Sequence, residues 1–507
     1  MLPVAFPSQR RCTGTISCKW KQWDPKITTP PGLYVIAWAL NKVGVISCSL
    51  TSLRAINPVV WSLATLLVYR IRRVQLKPGL KAGSETVSQD IHAAFNICLL
   101  PPVWFFTGLF YTDVASTFVV LATLEAFYSR RSGFLIFILG ATSLLFRQTN
   151  IFWVAIFPAG LTAIAEIQRL SNNAILDPTI NEACAVDYIK FLWSLSSNAS
   201  RVALHATQST YHARKLLLSL SPYAALVGLF AGFVAWNGGV VLGDKSNHVA
   251  TIHVPQLLYL FAYIAFFSLP LLLPLVAATA IPSSYRPTFL RPFSSPINLR
   301  SGFMVATLLT GGVALPAIHF NTIIHPFTLA DNRHYVFYVF RILRTHPLIR
   351  YTAAPLYIIG AWAAIQVLGS RLTSTEYSPS KQVAKRAENA EIKLGRNGKG
   401  PTVGFVFVWL IASTLCLVTA PLVEPRYFIL PWIVWRLQVP SYTGHSGGKS
   451  QNMQRSTSLL SAVFHADWRL YFETAWLMLI NGITAYVFLN WSFAWPQEPG
   501  KSQRFLW

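Results

Sequence analysis

Asp24 lies in a proline-rich segment, Trp-Asp-Pro-Lys-Ile-Thr-Thr-Pro-Pro-Gly-Leu-Tyr, at residues 23–34. Proline fixes its own φ and pushes the preceding residue toward extended backbone, so the segment is predicted to be a shaped loop. The carboxylate can act as a general base or bind a sugar hydroxyl, and the indole of Trp23 can stack on a sugar ring. Asp24 can also simply cap a turn. We favour the functional interpretation, because the prolines restrict its geometry.

Four further charged residues lie at the ends of apolar runs. Asp113 stands between two closely spaced runs, where a charge is costly unless paired, and it is a candidate catalytic residue or a helix N-cap. Arg147 can hold a phosphate through two hydrogen bonds, or it can reach lipid headgroups. Its neighbour Gln148 is a candidate sugar contact. Glu424 and Arg426 can form a structural ion pair or a binding group.

A compact polar stretch, Gly-Asp-Lys-Ser-Asn-His at residues 243–248, is followed by a second histidine at position 253. Lys245 is a candidate for holding a phosphate, while Asp244 and His248 are candidates for contacts with a sugar or a second substrate. A solvated connector explains the same residues equally well. The two histidines lack a third ligand at a zinc-like spacing, so we predict no metal site.

The densest polar stretch reads His-Pro-Phe-Thr-Leu-Ala-Asp-Asn-Arg-His-Tyr at residues 325–335. It offers a possible catalytic acid, Asp331, and a possible phosphate ligand, Arg333. Two imidazoles, His325 and His334, are candidates for sugar or acceptor contacts. An ordinary polar loop is the alternative, but such a density of functional groups favours a site.

The composition excludes an ordinary soluble domain. The 507 residues are 53% hydrophobic and only 12% charged, with a mean hydropathy of +0.44. Soluble chains carry about 25% charged residues. The apolar residues form long runs, such as 403–423 and 256–281, near the roughly 20 residues that a helix needs to cross a bilayer. The sequence predicts an all-α, polytopic membrane protein.

About twelve spans are predicted, several of them shorter than the ideal length. They cover residues 53–70, 92–110, 114–128, 133–149, 150–167, 220–237, 256–276, 302–320, 351–369, 403–422, 426–438 and 470–491.

The net charge of +24 follows the membrane topology. Basic residues cluster between apolar runs, as the positive-inside rule expects of cytosolic loops. The sequence has no separate basic domain, which argues against nucleic-acid binding. Loops 371–402 and 439–469 are predicted to be cytosolic, and 19–52 lumenal with an interfacial segment. This topology places all the polar motifs above on one side, which predicts a single lumenal site.

Seven blocks of the sequence resemble one family, the dolichyl-phosphate-glucose-dependent α-1,2-glucosyltransferases that complete the N-glycan precursor. They occur in the family's order across nearly the whole chain. The blocks are residues 23–34, 111–113, 146–151, 243–256, 325–338, 424–431 and 503–507.

The resemblance implies a single GT-C type membrane domain over residues 1–507, located in the endoplasmic reticulum membrane with a lumenal active site. The donor would be dolichyl-phosphate-glucose, and the acceptor a lipid-linked oligosaccharide that already carries two glucoses. The reaction would invert the anomeric centre and need no cofactor or metal. Arg147, Lys245 and Arg333 become the candidates for stabilising the leaving phosphate.

One family feature is not found in the sequence. The family has a first span and then an acidic motif, resembling Tyr-Met-Asp-Glu followed by Phe-His, before the Trp-Asp-Pro block. Residues 1–11 show neither, and that motif is the expected source of the base. The alternative to an active enzyme is therefore an inactive membrane partner or a channel regulator.

Overall fold

The computed structural model describes most of the chain, with gaps in several connecting segments. The described residues are 28–76, 84–171, 175–208, 210–243, 245, 251–287, 290, 293, 311–322, 333–369, 400–420, 422–441, 467–494 and 502–507. Most of the two predicted cytosolic loops, residues 371–399 and 442–466, therefore lies outside them.

The described chain is almost entirely helical. Its α-helices are α1 (Gly32–Lys42), α2 (Leu50–Leu76), α3 (Ser84–Cys98), α4 (Pro101–Thr107), α5 (Thr112–Tyr128), α6 (Gly133–Leu144), α7 (Phe157–Leu170), α8 (Ala185–Gln208), α9 (Thr210–Asn237), α10 (Pro255–Phe267), α11 (Leu269–Ala280), α12 (Gly311–Phe320), α13 (Tyr335–Thr345), α14 (Ile349–Thr352), α15 (Ala354–Gln366), α16 (Val403–Leu417), α17 (Ile429–Gln438) and α18 (Trp468–Asn490). Two short strands, β1 (Ser492–Ala494) and β2 (Ser502–Arg504), pair antiparallel with Phe493 opposite Gln503.

The helices make this a multi-pass membrane protein. Among the described residues, five stretches are long and apolar enough to cross a bilayer, or up to seven if two bent pairs each form one span. Shorter apolar helices coincide with further predicted spans, namely α6, α12 and α16. The prediction of an all-α membrane protein is confirmed, while the number of twelve spans stays a prediction.

Two tryptophans in the core of the bundle donate their indole N–H groups to backbone carbonyls. Trp409 donates from its indole to the carbonyl of Pro431 at 2.9 Å, and Trp435 donates to that of Ala364 at 2.8 Å. Both rings are fully buried. An indole N–H without a partner is costly in an apolar interior, so these bonds fix how α16, α17 and α15 pack.

Two sharp bends interrupt the apolar helices. The axes of α4 and α5 meet at 116°, and those of α10 and α11 at 94°. Proline stands in the first turn of α4, α10 and α11, where its missing N–H costs nothing. The bend between α4 and α5 leaves a short turn at residues 108–111, on which the site described below is built.

Buried charges join α2, α3, α17 and α18 at the end of the bundle away from that turn. Arg72 is fully buried and donates to two carbonyls at the end of α17, at 3.2 and 3.1 Å. Arg436 binds Glu473 through two hydrogen bonds of 2.8 and 2.7 Å, and Asn96 donates to the same carboxylate at 2.9 Å. Each charge in this network has a charged or hydrogen-bonding partner, as a buried charge requires.

Removing one member of this network is expected to destabilise the protein. Arg436→Leu leaves the Glu473 carboxylate buried without its guanidinium, which we expect to cost about 3–5 kcal/mol. The double change Arg436→Leu with Glu473→Leu removes both charges and should recover most of that loss. The measurement is the melting temperature of the detergent-solubilised protein, followed by tryptophan fluorescence.

The matched control is Arg169→Leu. Arg169 also pairs with a glutamate, Glu166, at 3.0 Å, but more than half of its side chain is exposed. Exposed pairs contribute at most about 1 kcal/mol. Equal losses of melting temperature in Arg436→Leu and Arg169→Leu would contradict this account of the network.

Candidate active site

The turn between α4 and α5 is held by an asparagine from a neighbouring helix. Asn57 of α2 is fully buried and donates from Nδ2 to the carbonyls of Leu109 at 2.7 Å and Tyr111 at 2.8 Å. The carbonyl of Leu109 lies between the two helices and needs a donor from elsewhere, and Tyr111 is the N-cap of α5. Asn57 therefore fixes the backbone from which Tyr111 and Asp113 project.

Asp113 pairs with Arg147. The carboxylate lies in the first turn of α5, where the helix dipole favours a negative charge, and its Oδ1 is 3.1 Å from Nη2 of Arg147. Asp113 is 2% exposed and Arg147 is 15% exposed. The arginine thus points into the protein instead of toward lipid headgroups, and the aspartate forms an ion pair instead of an N-cap.

The backbone around Arg147 is pinned to α5. Asn150, fully buried, donates from Nδ2 to the hydroxyl of Ser116 and to the carbonyl of Ser143, both at 2.8 Å. Residues 148–150 form a single 3₁₀ turn after α6. Two hydrogen bonds from one amide hold this turn between α5 and α6, which places the Arg147 guanidinium over Asp113.

A second ion pair comes from the turn before α17. Arg426 bonds to the carboxylate of Glu424 and to the hydroxyl of Tyr111. Its guanidinium also lies 5.4 Å from the centre of the Tyr111 ring. Arg426 therefore makes both a hydrogen bond to the Tyr111 hydroxyl and a cation–π contact with the Tyr111 ring. The two residues are 315 positions apart in the sequence.

One aromatic ring connects the two ion pairs. The guanidinium carbons of Arg147 and Arg426 lie 5.7 and 5.8 Å from the centre of the Tyr427 ring. The two acids, Asp113 and Glu424, balance the two arginines in formal charge. We call these residues, with Tyr111, the charged cluster.

Glu424 is a titrating member of the charged cluster that lies in a turn between helices. Burial opposes its negative charge, but the guanidinium of Arg426 outweighs burial, and the pKa of the carboxyl is lowered. His334 and Arg147 lie close enough to lower that pKa further. The carboxylate is thus ionised at neutral pH.

The segment before α13 joins the cluster through the last residues of the chain. Arg333 donates from Nη1 to the side-chain oxygen of Gln503 at 3.0 Å, and its carbonyl accepts the N–H of Leu506 at 2.8 Å. Nδ1 of His334 lies 3.3 Å from the carbonyl oxygen of Trp507. Because His334 also influences Glu424, residues 333–334 and 503–507 lie beside the charged cluster.

The segment before α10 packs on the connecting segment that leads from α16 to Glu424. The backbone N–H of His253 donates to the carbonyl of Val418 at 2.9 Å. Gln256 is fully buried and donates to the carbonyls of Ala420 and Leu422 at 2.5 and 3.3 Å. The end of the predicted motif 243–256 is therefore placed at the same end of the bundle.

The described part of the proline-rich motif also reaches this end. The N–H of Gly32 donates to the carbonyl of Leu145 at 2.7 Å, two residues before Arg147. A Cβ at Gly32 would lie 2.6 Å from that oxygen, so glycine is required for this approach. Tyr34 packs edge-on against Phe110 at 5.9 Å, beside the turn between α4 and α5.

The structure brings some of the predicted residues together. Asp113 and Arg147 are paired, and His334 lies beside Glu424 with Arg333 next to it in sequence. Lys245 donates to the carbonyl of Asn237 at the end of α9 and is exposed, and its role as a phosphate ligand stays a prediction.

Gln148 follows Arg147, and its amide nitrogen is buried with no hydrogen-bond partner among the described residues. The other candidate residues lie outside the described residues, and their predicted roles stay predictions. They are Trp23, Asp24, Asp244, His248, His325 and Asp331.

Several site residues were not predicted from the sequence. Tyr427 connects the two ion pairs, and Asn57 and Asn150 fix the backbone of the site. The asparagines carried a usable signal, because an amide inside an apolar run must find a partner there. For Tyr427 the sequence carried no signal beyond its position between Arg426 and the next helix.

Within the described residues, no group of three histidine, cysteine or acidic side chains is arranged to hold a metal ion. The prediction that the site uses no metal stays a prediction. The groups present are guanidinium, carboxylate, phenol and imidazole, which suit binding of an anion and transfer of a proton.

These features define a multi-pass helical membrane protein with a charge-balanced polar site at one end of its helices. The chain belongs to the DIE2/ALG10 family, whose model matches residues 10–437. The predicted family is confirmed.

Curated relatives match nearly the whole chain. A protein of Aspergillus fumigatus is 36% identical over 96% of this chain and 91% of its own length. A protein of Mus musculus is 32% identical over 99% of this chain and 91% of its own length. Both relatives are named Dol-P-Glc:Glc(2)Man(9)GlcNAc(2)-PP-Dol alpha-1,2-glucosyltransferase. No solved structure matches the chain.

The lowered pKa of Glu424 predicts a pH dependence of stability. A carboxyl whose pKa is lower in the folded state stabilises that state above its unfolded pKa, about 4.3 for glutamate. This contribution is lost as the pH falls through the folded pKa. We therefore expect Glu424→Gln to lower the melting temperature at pH 7, and to lower it less as the pH falls below about 4.3.

The measurement is the melting-temperature difference between wild type and Glu424→Gln from pH 7 to pH 3.5. Glu182→Gln is a control, since Glu182 accepts a hydrogen bond from the hydroxyl of Thr179 far along the chain from the cluster. A difference for Glu424→Gln that stays constant over this range would show that the ionised carboxylate contributes nothing specific.

Proposed function

We propose that this chain transfers the third, terminal α-1,2-linked glucose from dolichyl-phosphate-glucose to Glc2Man9GlcNAc2-PP-dolichol. The names of its full-length relatives in fungi and mammals support this reaction. The observation that carries the proposal in this chain is the charged cluster, which combines two partly buried guanidiniums with a carboxylate oxygen that has no hydrogen-bond partner among the described residues.

The reaction needs one base and one group that stabilises a leaving phosphate. The acceptor hydroxyl gives its proton to a carboxylate as its oxygen attacks C1 of the glucose. The bond from C1 to the phosphate oxygen breaks, and the electron pair leaves with dolichyl phosphate. The products are the extended oligosaccharide and dolichyl phosphate, with inversion at C1.

The arginines of the cluster suit the leaving phosphate. Guanidiniums bind phosphate oxygens in pairs of hydrogen bonds and stabilise the charge that grows as the bond breaks. The guanidinium carbons of Arg147 and Arg426 both lie close to the Tyr427 ring, at 5.7 and 5.8 Å from its centre. His334, which follows Arg333 in sequence, is close enough to lower the pKa of Glu424. The two acids of the cluster already balance the charge of its two arginines. Arg333 and His334 are therefore the groups that can balance the negative charge of a bound phosphate.

Asp113 is the proposed base among the described residues. Its Oδ1 faces Arg147, while its Oδ2 is buried and has no hydrogen-bond partner in the described part of the chain. An ionised oxygen in that position can accept the proton of a hydroxyl. Asp24 and Asp331 remain candidates for the same role, and Trp23, Gln148, Asp244, His248, His325 and His334 remain candidates for contacts with sugar or acceptor.

The proposed setting is the membrane of the endoplasmic reticulum. We assign the chain to the GT-C type, with one membrane domain over residues 1–507 and about twelve spans. The charged cluster faces the lumen, as does the segment 19–52, and loops 371–402 and 439–469 face the cytosol, in keeping with the positive-inside rule. An inactive partner or channel regulator is less well supported, because the relatives bear the name of an enzyme.

The proposed reaction can be tested in cells that lack their own terminal glucosyltransferase. Expression of this chain is expected to convert the precursor that carries two glucoses into one that carries three. Mass spectrometry of the lipid-linked oligosaccharides measures the conversion. Absence of a third glucose, with the protein present in the membrane, would count against the enzyme and for the inactive partner.

Variants of the charged cluster test the assigned roles. Asp113→Asn keeps the shape but removes the base, and we expect transfer to fall by at least about a hundredfold. Arg147→Lys keeps the charge but loses paired hydrogen bonds, so a loss of about tenfold or more is expected. The rate of glucose incorporation by purified protein is the measurement, and Arg169→Gln, on the exposed pair of α7, is the control.

Undiminished transfer by Asp113→Asn would remove it as the base and direct the search to Asp24 and Asp331. A loss of the same size in Arg169→Gln would mean that the rates report folding instead of chemistry.

A further inference from the structure

A second cleft lies beside α13, at a distance from the charged cluster. It encloses about 250 Å³ between α10, α12, α13 and α15. Its walls combine aromatic and aliphatic side chains with the hydroxyls of Tyr259, Thr322 and Tyr357. The volume is slightly below the roughly 300–1,000 Å³ of pockets that enclose drug-sized ligands, which suits a small head group.

Two arginines give the cleft its charge. Arg344 and Arg350 are the only charged side chains among its described lining residues. Arg350 is positioned by Tyr351, whose hydroxyl accepts from Nη2 at 3.1 Å and whose ring lies 5.0 Å from the guanidinium. His319 bonds to the same hydroxyl at 2.7 Å. Nε of Arg350 is buried and has no hydrogen-bond partner among the described residues.

The charge of this cleft differs from that of the cluster. In the charged cluster each arginine faces a carboxylate, and the formal charges cancel. The cleft has two guanidiniums and, in its described lining, no acid to offset them. A site of this composition favours a ligand with about two negative charges, such as a phosphate monoester or a pyrophosphate.

The surface of α13 places the cleft where apolar lipid meets water. Phe340 is buried against the protein, whereas Val339 and Ile342 are 55% and 62% exposed. Arg341 and Arg344 are exposed on the adjacent face. A helix with an apolar face and a basic face lies along the boundary of a membrane, so a ligand of this cleft can keep its chain in the lipid.

The cleft is distinct from the charged cluster but connected to it by one helix. His334, at the start of α13, lies beside Glu424, and Arg344 is ten residues further along. Ten residues of α-helix span about 15 Å. A phosphate bound by Arg344 and Arg350 would therefore be a different group from the phosphate proposed to lie at Arg147 and Arg426.

We propose that this cleft binds the phosphate head of an isoprenoid lipid, with the guanidiniums of Arg344 and Arg350 on the phosphate and the first isoprene unit against Phe340 and Leu343. The choice of an isoprenoid over another lipid rests on the proposed function, since both proposed substrates carry such a chain. The shared chemistry is a phosphate on an isoprenoid. The monophosphate corresponds to the product dolichyl phosphate, and the pyrophosphate corresponds to the acceptor.

The test is direct binding to the full chain purified in detergent. The probes are farnesyl phosphate, farnesyl pyrophosphate, farnesol, inorganic phosphate and a phosphatidic acid, and native mass spectrometry measures their dissociation constants. We expect one of the two farnesyl esters to bind at least about tenfold more tightly than farnesol, because charged hydrogen bonds to the phosphate are lost in the alcohol. The preferred ester identifies the source.

Variants of the cleft are compared with a matched arginine on the same helix. Arg344→Gln with Arg350→Gln is expected to weaken binding of the preferred ester by about tenfold or more, while Arg341→Gln, outside the cleft, changes it less than about twofold. Leu343→Trp, which fills the cleft without changing charge, should weaken binding as well. Melting temperatures establish that each variant is folded.

Three results would overturn the assignment. One is equal binding by the double variant and by Arg341→Gln, which would mean that these arginines only contact lipid headgroups. The second is displacement of the ester by phosphatidic acid at equal concentration, which would indicate a general anionic-lipid surface. The third is inorganic phosphate binding as tightly as the ester, which would indicate a soluble ligand.

Binding keeps this test separate from the proposed reaction. If the chain transfers no glucose but its affinity for the ester depends on Arg344 and Arg350, the cleft assignment stands while the proposed function fails. If the chain transfers glucose and ester binding is insensitive to both arginines, the cleft assignment fails alone.

Discussion

The structure depends on the rule that a charge inside an apolar helical bundle must have a partner. The interior offers no water to share the charge, so an unpaired carboxylate or guanidinium would cost several kcal/mol. At one end Arg436 meets Glu473 and Arg72 meets backbone carbonyls, and at the other Asp113 meets Arg147. Each pair joins helices that are separate in sequence, so satisfying the charges also fixes which helices are neighbours.

The two ends use the same interaction for different purposes. In the network of Arg436 and Glu473, both oxygens of the carboxylate accept hydrogen bonds and the charges are enclosed. In the charged cluster Asp113 keeps one oxygen without a described partner, and both Asp113 and Arg147 sit beside a turn instead of mid-helix. Helix α2 carries Asn57, which supports the charged cluster, at one end and Arg72, which belongs to the other network, at the other. About 22 Å of helix lies between these two residues. The closed network can anchor the bundle, while the unpartnered oxygen of Asp113 suits the catalytic role proposed for it.

The sequence revealed the class of protein and part of the site, each for a physical reason. A long apolar run in lipid must form a helix, because only a helix satisfies all of its backbone hydrogen-bonding groups within the run. The class of helical membrane protein was therefore predictable. Placing every basic loop on one side also gathered Asp113, Arg147, Glu424 and His334 on the other, and the structure brings these residues to one end. The pairings were not predictable. The contact of Arg426 with Tyr111 joins residues that are 315 positions apart in the sequence. It depends on how α17 packs against the turn before α5, and no local sequence pattern encodes that packing.

The arrangement of arginines also bears on how one membrane enzyme could manage two lipid substrates. A transfer between two isoprenoid lipids requires two phosphate groups near one membrane surface, and they repel each other unless each has its own cations. The charged cluster balances its arginines with acids, so it can hold a phosphate only weakly until charge develops there during reaction. The cleft of Arg344 and Arg350 has no described acid and can hold a phosphate in the ground state. Binding energy gained at the cleft would thus position a lipid without stabilising the ground state of the bond that must break, and catalysis requires binding energy to be divided in this way.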